Sequence, residues 1–461
     1  MDAARDDVQQ QLAGADVDKS DYLSSLFDDV ASLVLPLLPL DERARAACVR
    51  KAWCAEATTS ALLAELNFER CSVGVTDVTL AALCARSGPA LRSLRLDVTA
   101  CKRVTGAGLV AALRDGGCAG LRHIKFDERT RAYGETLTSA MVNQLVVACP
   151  HVEHTAFVVE CHCFAEAAQA AAALPGPLQL AINDADVSGL TESVVSGLLL
   201  RSVDLLDIYG CDFSPAATTA LATALRVNAT LEVLRLSGNR GIDDGGIAAL
   251  AEALCVNSTL TVFESSCTIG FGLRGLAAFV EVLRVNSTLE QLELAYTNMR
   301  SRGAVALSKA LQANSTLTTL DFSCNDIGNA GAAALGMALR VNRSLKHVDF
   351  SGNCIGSAGA VALWEALRVN NTLTLLNLEN NDIGDDGMDV LGEALRNNHT
   401  LASLDLSGND IHDDGAAALI EALGTTNTLT ELRVFGNAIG AASAAALAEA
   451  LRSELRACSA A

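Results

Sequence analysis

The side chains of this chain that could do chemistry recur at fixed intervals. At one position of successive units of 28 or 29 residues stand Asp207, Arg235, Glu264, Glu293, Asp321, Asp349, Asn377, Asp405 and Arg433, an acidic column bounded by arginines. Apolar residues lie on either side of it (Leu320 and Phe322 around Asp321), and side chains alternate along a strand, so the column faces away from the core. Like charges stacked about 4.8 Å apart repel, and are tolerated more readily where a basic ligand compensates them. The chemistry expected of Glu264, Glu293, Asp321, Asp349, Asn377 and Asp405 is therefore recognition of a cationic partner, with Tyr209 and Phe435 as aromatic anchors near the ends. Between these anchors the flanking column is small and polar, as at Ser323, Ser351 and Ser407. The plainer alternative is a solvated face on an acidic protein.

No other constellation in the sequence has the spacing that catalysis or metal binding needs. His151, His154, Cys161, His162 and Cys163 cluster, and such residues bind zinc, but the last three are adjacent rather than spaced for a closed tetrahedral site. No GK[ST] phosphate loop occurs, and no Ser/His/Asp or Cys/His set can be assembled. No cofactor is expected. Fifteen cysteines without a secretory leader read as free thiols. Cys211, Cys324 and Cys354, in or beside one repeated slot, read as small buried side chains.

The elements that must position the acidic column follow from the period. Leu289, Leu317, Leu345, Leu373, Leu401 and Leu429 open units 28 residues apart, and a fixed period of that size means a solenoid. In the unit from Leu317, Leu320 and Phe322 share one face of a short strand, and Ala334, Leu335, Met337, Ala338 and Val341 give a helical face. The thirteenth position (Ser301, Asn329, Ser357, Asp385, Asp413) offers acceptors for the first N–H groups of the helix. The twenty-sixth (Asn228, Asn314, Asn342, Asn370, Asn398) suits a left-handed helix closure, so its Asn-x-Ser/Thr triplets mark helix ends rather than glycosylation. The ninth (Asn239, Asn325, Asn353, Asn381, Asn409, Asn437) places a buried amide where it can satisfy turn backbone in the neighbouring coil. Two units, opening at Leu231 and Leu260, have 29 residues, and the extra residue must enter a loop.

The phrase LxxLxLxxN, followed by Ile-Gly and a GAxALxxAL helix, resembles the leucine-rich repeat of the ribonuclease-inhibitor type, also found in Ran GTPase-activating proteins. The resemblance implies an α/β solenoid, a horseshoe with parallel strands concave and helices convex, and a protein-binding rather than enzymatic role. Upstream, LFDDVASLVLPLLPLDERARAACVRKAW resembles the F-box in Leu26, Asp28-Asp29, Val30, Leu38-Pro39-Leu40, Val49 and Trp53, departing from it at Phe27 and Pro36. That likeness implies docking on a Skp-type adaptor of a cullin ubiquitin ligase through Leu26, Val30, Leu38, Pro39, Leu40 and Trp53, with the repeats holding the target. Irregular units around Leu91, Leu94, Leu96 and Cys101 resemble the cysteine-containing repeats of F-box proteins. Alternatives are a repeat scaffold with no ligase link, the segment merely capping the first coil, or a Ran-type activator using Arg240 in a lengthened unit.

Composition bounds these readings. Of 461 residues half are hydrophobic but only 4% aromatic, which suits layered Leu, Val and Ala rather than a cofactor pocket. A formal net charge of −20 argues against nucleic-acid binding and against an anionic membrane surface. No apolar run is long enough to span a membrane, and the polar start MDAARDDVQQ is neither a secretory nor a transit signal, so a cytoplasmic or nuclear place is expected. The expected organisation is a disordered acidic arm over 1–20, the F-box-like segment over 21–58, irregular repeats over 59–176 and regular repeats over 177–461. The joint between the two arrays is expected at Pro175-Gly176-Pro177.

Overall fold

The computed structural model describes residues 64–67, 77–97, 104–127, 137–183 (apart from 153, 157, 162 and 174–177), 187, 191, 195, and 203–458 (apart from 268–271 and 425–427). The acidic arm and the F-box-like segment, with Leu26, Val30, Leu38, Pro39, Leu40 and Trp53, lie outside the described residues. The chain divides into two compact units, Met1–Phe157 and Val158–Ala461.

In the first unit the strands Glu65–Asn67, Ser93–Asp97, His123–Asp127 and His154–Ala156 pair in parallel in sequence order. The helices Asp77–Ser87, Gly106–Asp115 and Ser139–Ala148 alternate with them. Thr105 caps its own helix, its Oγ1 accepting from Gly108 N at 2.9 Å, while Asp77 accepts from Thr105 N and Oγ1, both at 2.8 Å.

In the second unit every strand from Val158–Cys161 to Glu431–Arg433 pairs in parallel with its sequence neighbours. Val158–Cys161 pairs with Leu178–Asn183. Register is kept from coil to coil, with Leu292 opposite Leu320, Leu320 opposite Val348, Val348 opposite Leu376 and Leu376 opposite Leu404. All five are buried, forming one apolar ladder between the sheet and the helices. The fold is an α/β solenoid: parallel strands on one side, helices on the other, and a core of Leu, Ala and Phe between. Strands stack about 4.8 Å apart and helices about 8–10 Å apart, so such a unit curves with its strand face inward.

The ninth-position asparagines link successive coils from Thr297 to Ile355. Asn353 Oδ1 accepts from Asn325 N and Ile327 N, while its Nδ2 donates to Phe322 O and Ser351 O. Asn325, Asn381 and Asn437 repeat the pattern.

At three places the structure departs from expectation. The thirteenth-position acceptors do not cap their own helices; they reach the next coil. Asn329 Oδ1 accepts from Gly356 N and Gly359 N, Asp385 Oδ1 from His412 N and Gly415 N, and Asp413 Oδ1 from Gly440 N. Ser301 instead donates to Ile327 O. A side chain on the first turn of one helix lies nearer the start of the next helix than its own N–H groups, so the helix ends are tied between coils. The twenty-sixth-position asparagines are extended rather than left-handed: Asn228 has φ −72°, ψ 138° and Asn398 φ −94°, ψ 130°. Each closes its helix with a side-chain turn, Oδ1 accepting from the N–H two and three residues on, as Asn370 does from Thr372 and Leu373. Its Nδ2 donates to the preceding coil, Asn370 to Leu339 O at 2.7 Å. Finally, Cys211 is buried, but Cys324 is half-buried and Cys354 exposed, because both occupy loop positions with left-handed φ of 53°.

Candidate functional site: the strand face

The strand registers bring the acidic column together. Glu264 stands opposite Glu293, Glu293 opposite Asp321, Asp321 opposite Asp349, Asp349 opposite Asn377, and Asn377 opposite Asp405. The ends are neutralised from within. Arg235 Nε meets Glu264 Oε1 at 2.7 Å, which leaves Glu264 only 5% exposed. Arg433 lies 3.8 Å from Asp405 and 2.6 Å from Glu431. Asn377 Nδ2 donates to Asp349 Oδ2 at 2.7 Å.

The middle is different. Among the described residues no cationic side chain comes within 4.0 Å of Glu293, Asp321 or Asp349. The small residues of the flanking column explain how the short carboxylates are held: Asp321, Asp349 and Asp405 each accept the N–H of the serine two residues on (Ser323, Ser351, Ser407) at 2.7–2.9 Å. Burial pushes the Glu293 carboxyl above its ordinary range, and Glu264 and Asp321 push it further. Burial likewise raises Asp321, with Asp349 and Glu264 adding to the shift against the hydrogen bonds from Ser323. Such a site is short of positive charge, and what it can do chemically is bind a cation.

Tyr209 is half-exposed and Phe435 is 76% exposed. Tyr209 lies over Gly238, where an added Cβ would come within 2.5 Å of the ring. Sequence reasoning missed Tyr296, an exposed ring beside the unneutralised carboxylates at φ 56°. Its column otherwise holds Gly210, Gly238, Gly352, Gly408 and Gly436, all at positive φ, with Cys267, Cys324 and Asn380 as the other exceptions. A tyrosine in a glycine column was the signal that could have found it. Leu375 adds apolar surface at 36% exposure.

The other candidates gather nothing. Arg240 is exposed in its loop, its N–H donating to Cys211 O. Among the described residues no three His, Cys, Asp or Glu side chains are grouped to hold a metal; Cys161 is buried at a strand end and Cys163 half-buried, and His162 lies outside the described residues. No described helix is long and apolar enough to cross a membrane.

Fold and face define a repeat solenoid presenting an open strand surface. Seven segments match the leucine-rich repeat family: 227–251, 285–308, 313–336, 341–363, 369–392, 397–419 and 426–448. The F-box-like segment is not among them. No curated protein matches the chain. Leucine-rich repeats of this kind are protein–protein interaction modules.

Proposed function

We propose that the chain is a non-catalytic recognition subunit whose strand face grips a Lys- or Arg-rich segment of a partner protein, laid along Glu264 to Asp405. The observation that carries this reading is the contrast within one column. Carboxylates at both ends are neutralised by arginines of the same chain, while Glu293 and Asp321 have no described cationic side chain within 4.0 Å and stand where burial and mutual repulsion already disfavour ionisation. Tyr296, Tyr209 and Phe435 supply ring faces for guanidinium or ammonium groups. The test is charge reversal: Asp321→Lys with Asp349→Lys is expected to weaken binding of the natural partner about tenfold or more, near 1.4 kcal/mol, and wild-type binding to weaken with salt. Unchanged affinity would move recognition to the loops or helices.

The finer reading is a substrate-recognition subunit of a Skp-cullin-F-box ubiquitin ligase. It is supported by the residues Leu26, Val30, Leu38-Pro39-Leu40 and Trp53 and by their place ahead of a repeat array. Replacing Leu38, Pro39 and Leu40 by Ala is expected to abolish pull-down of a Skp-type adaptor while the repeats stay folded. Wild-type protein that fails to bind the adaptor of its own organism at about micromolar concentration would leave a repeat scaffold without a ligase link.

A further inference from the structure

Among the described helices from Pro215 to Leu423, the helix layer is interrupted in the coil that opens at Leu373. Neighbouring helices run Gly328–Leu339, Ser357–Leu367 and Asp413–Leu423, but this coil has a 3₁₀ turn at Asp385–Gly387 and an α-helix only from Leu391 to Asn397, starting more than a turn late. The sequence explains the interruption. At the sixteenth position of the unit the neighbouring coils carry Ala304, Ala332, Ala360 and Ala416, all fully buried, and this coil carries Met388, equally buried. At the twentieth position, Ser308 and Gly336 give way in the preceding coil to Trp364, the largest fully buried side chain described. Helix spacing set by Ala, Ser and Gly has no room for two large side chains in successive coils, and overpacking of this kind displaces backbone. The Trp364 indole N–H donates to Gly387 O at 2.7 Å, holding the displaced turn where helix would otherwise form.

A second irregularity lies at the same place. Asn353, Asn381 and Asn437 each use Oδ1 to accept the N–H groups of the ninth and eleventh positions in the coil before. Asn409, fully buried in the same ladder, has an Oδ1 with no hydrogen bond. A buried amide oxygen left unpaired costs about 1–3 kcal/mol. The strands themselves are undisturbed: His347–Asp349, Leu375–Asn377 and Ser403–Asp405 keep their register.

We propose that the coil 373–400 is a joint built into the solenoid. The sheet runs through it as a continuous hinge line, while the helix layer opens locally, so that the coils from Leu401 onward change their tilt against those before Leu373. Stability is not uniform in such arrays, and opening starts where buried polar groups are unpaired and helices are short. The joint crosses the strand face between Asp349 and Asp405, and bending there changes the reach of that face whatever its ligand.

Hydrogen exchange of the full chain, read by mass spectrometry, tests this. Amides of the hydrogen-bonded helix Leu391–Asn397 are expected to exchange about tenfold or more faster than those of Ser357–Leu367 and Asp413–Leu423, which have the same period and depth. A merely shortened but rigid helix would be protected like its neighbours, and that result would overturn the proposal. Trp364→Ser with Met388→Ala, which gives these two positions the small residue types of the coils opening at Leu289 and Leu317, is expected to slow exchange in this helix to the level of its neighbours. A folded double variant with exchange unchanged would equally overturn it. Should the double variant not fold, the wild-type comparison still decides.

Discussion

A buried asparagine stabilises a fold only when its amide is fully used, and the ladder through Asn325, Asn353 and Asn381 meets that condition. Replacing Asn353 by Ala strands the N–H groups of Asn325 and Ile327, while Phe322 O and Ser351 O keep other donors, so a loss of about 2 kcal/mol or more is expected in urea unfolding. The carboxylates of the strand face act in the opposite sense. Asp321 has its folded-state pKa raised by burial and by Asp349, so its contribution to stability is complete below its unfolded value, roughly pH 4, and is lost as pH rises through the folded one. Asp321→Asn keeps an acceptor for Ser323 N–H and removes the charge. It is expected to stabilise the free protein by about 0.5–1 kcal/mol at pH 7 and to lose that advantage near pH 4, as thermal melts at the two pH values would reveal. At this scale the sequence is half legible. The buried asparagine column and the outward acidic column follow from period alone, whereas the thirteenth-position acceptors serve a different helix from the one their spacing suggests. Periodicity places a residue within its own unit but does not say that its hydrogen bond goes to the next one.

At the scale of the element, the three-residue strands have almost no stability of their own and hold their register through the leucine ladder. Cutting Leu320, Leu376 or Leu404 to Ala is expected to cost about 2–5 kcal/mol, since each leaves a cavity between coils that cannot close independently. Thr319→Ala and Ser403→Ala, on the half-buried outward side, are expected to change stability by less than about 0.5 kcal/mol. Equal effects in chemical denaturation would mean the strand faces are exchanged. Strands and helices are legible because their periods, two and 3.6, differ so clearly within one unit. The broken helix after Asp385 is not: DDGMDVLGEAL has a good helical pattern, and only the depth at which Trp364 and Met388 are buried shows that both cannot be accommodated.

For the whole molecule, a net charge of −20 makes any acidic surface ordinary by composition, which is why the sequence alone could not separate a binding face from a solvated one. What distinguishes this face is position, since the arginines that could neutralise the column stand only at its ends. Quantitative affinity purification would decide whether that face is the site, using wild-type protein, the pair Asp321→Lys and Asp349→Lys, and a control of exposed helix residues, Glu252→Lys with Glu421→Lys. All three carry matched tags, and the same captured partner is then titrated against each. If the strand face holds the partner, its charge-reversed pair loses at least about tenfold in affinity while the helix-side control, with the same change in net charge, stays close to wild type. Equal loss in both variants would mean that overall charge governs binding, and no loss in the strand-face pair would contradict the assignment of the site.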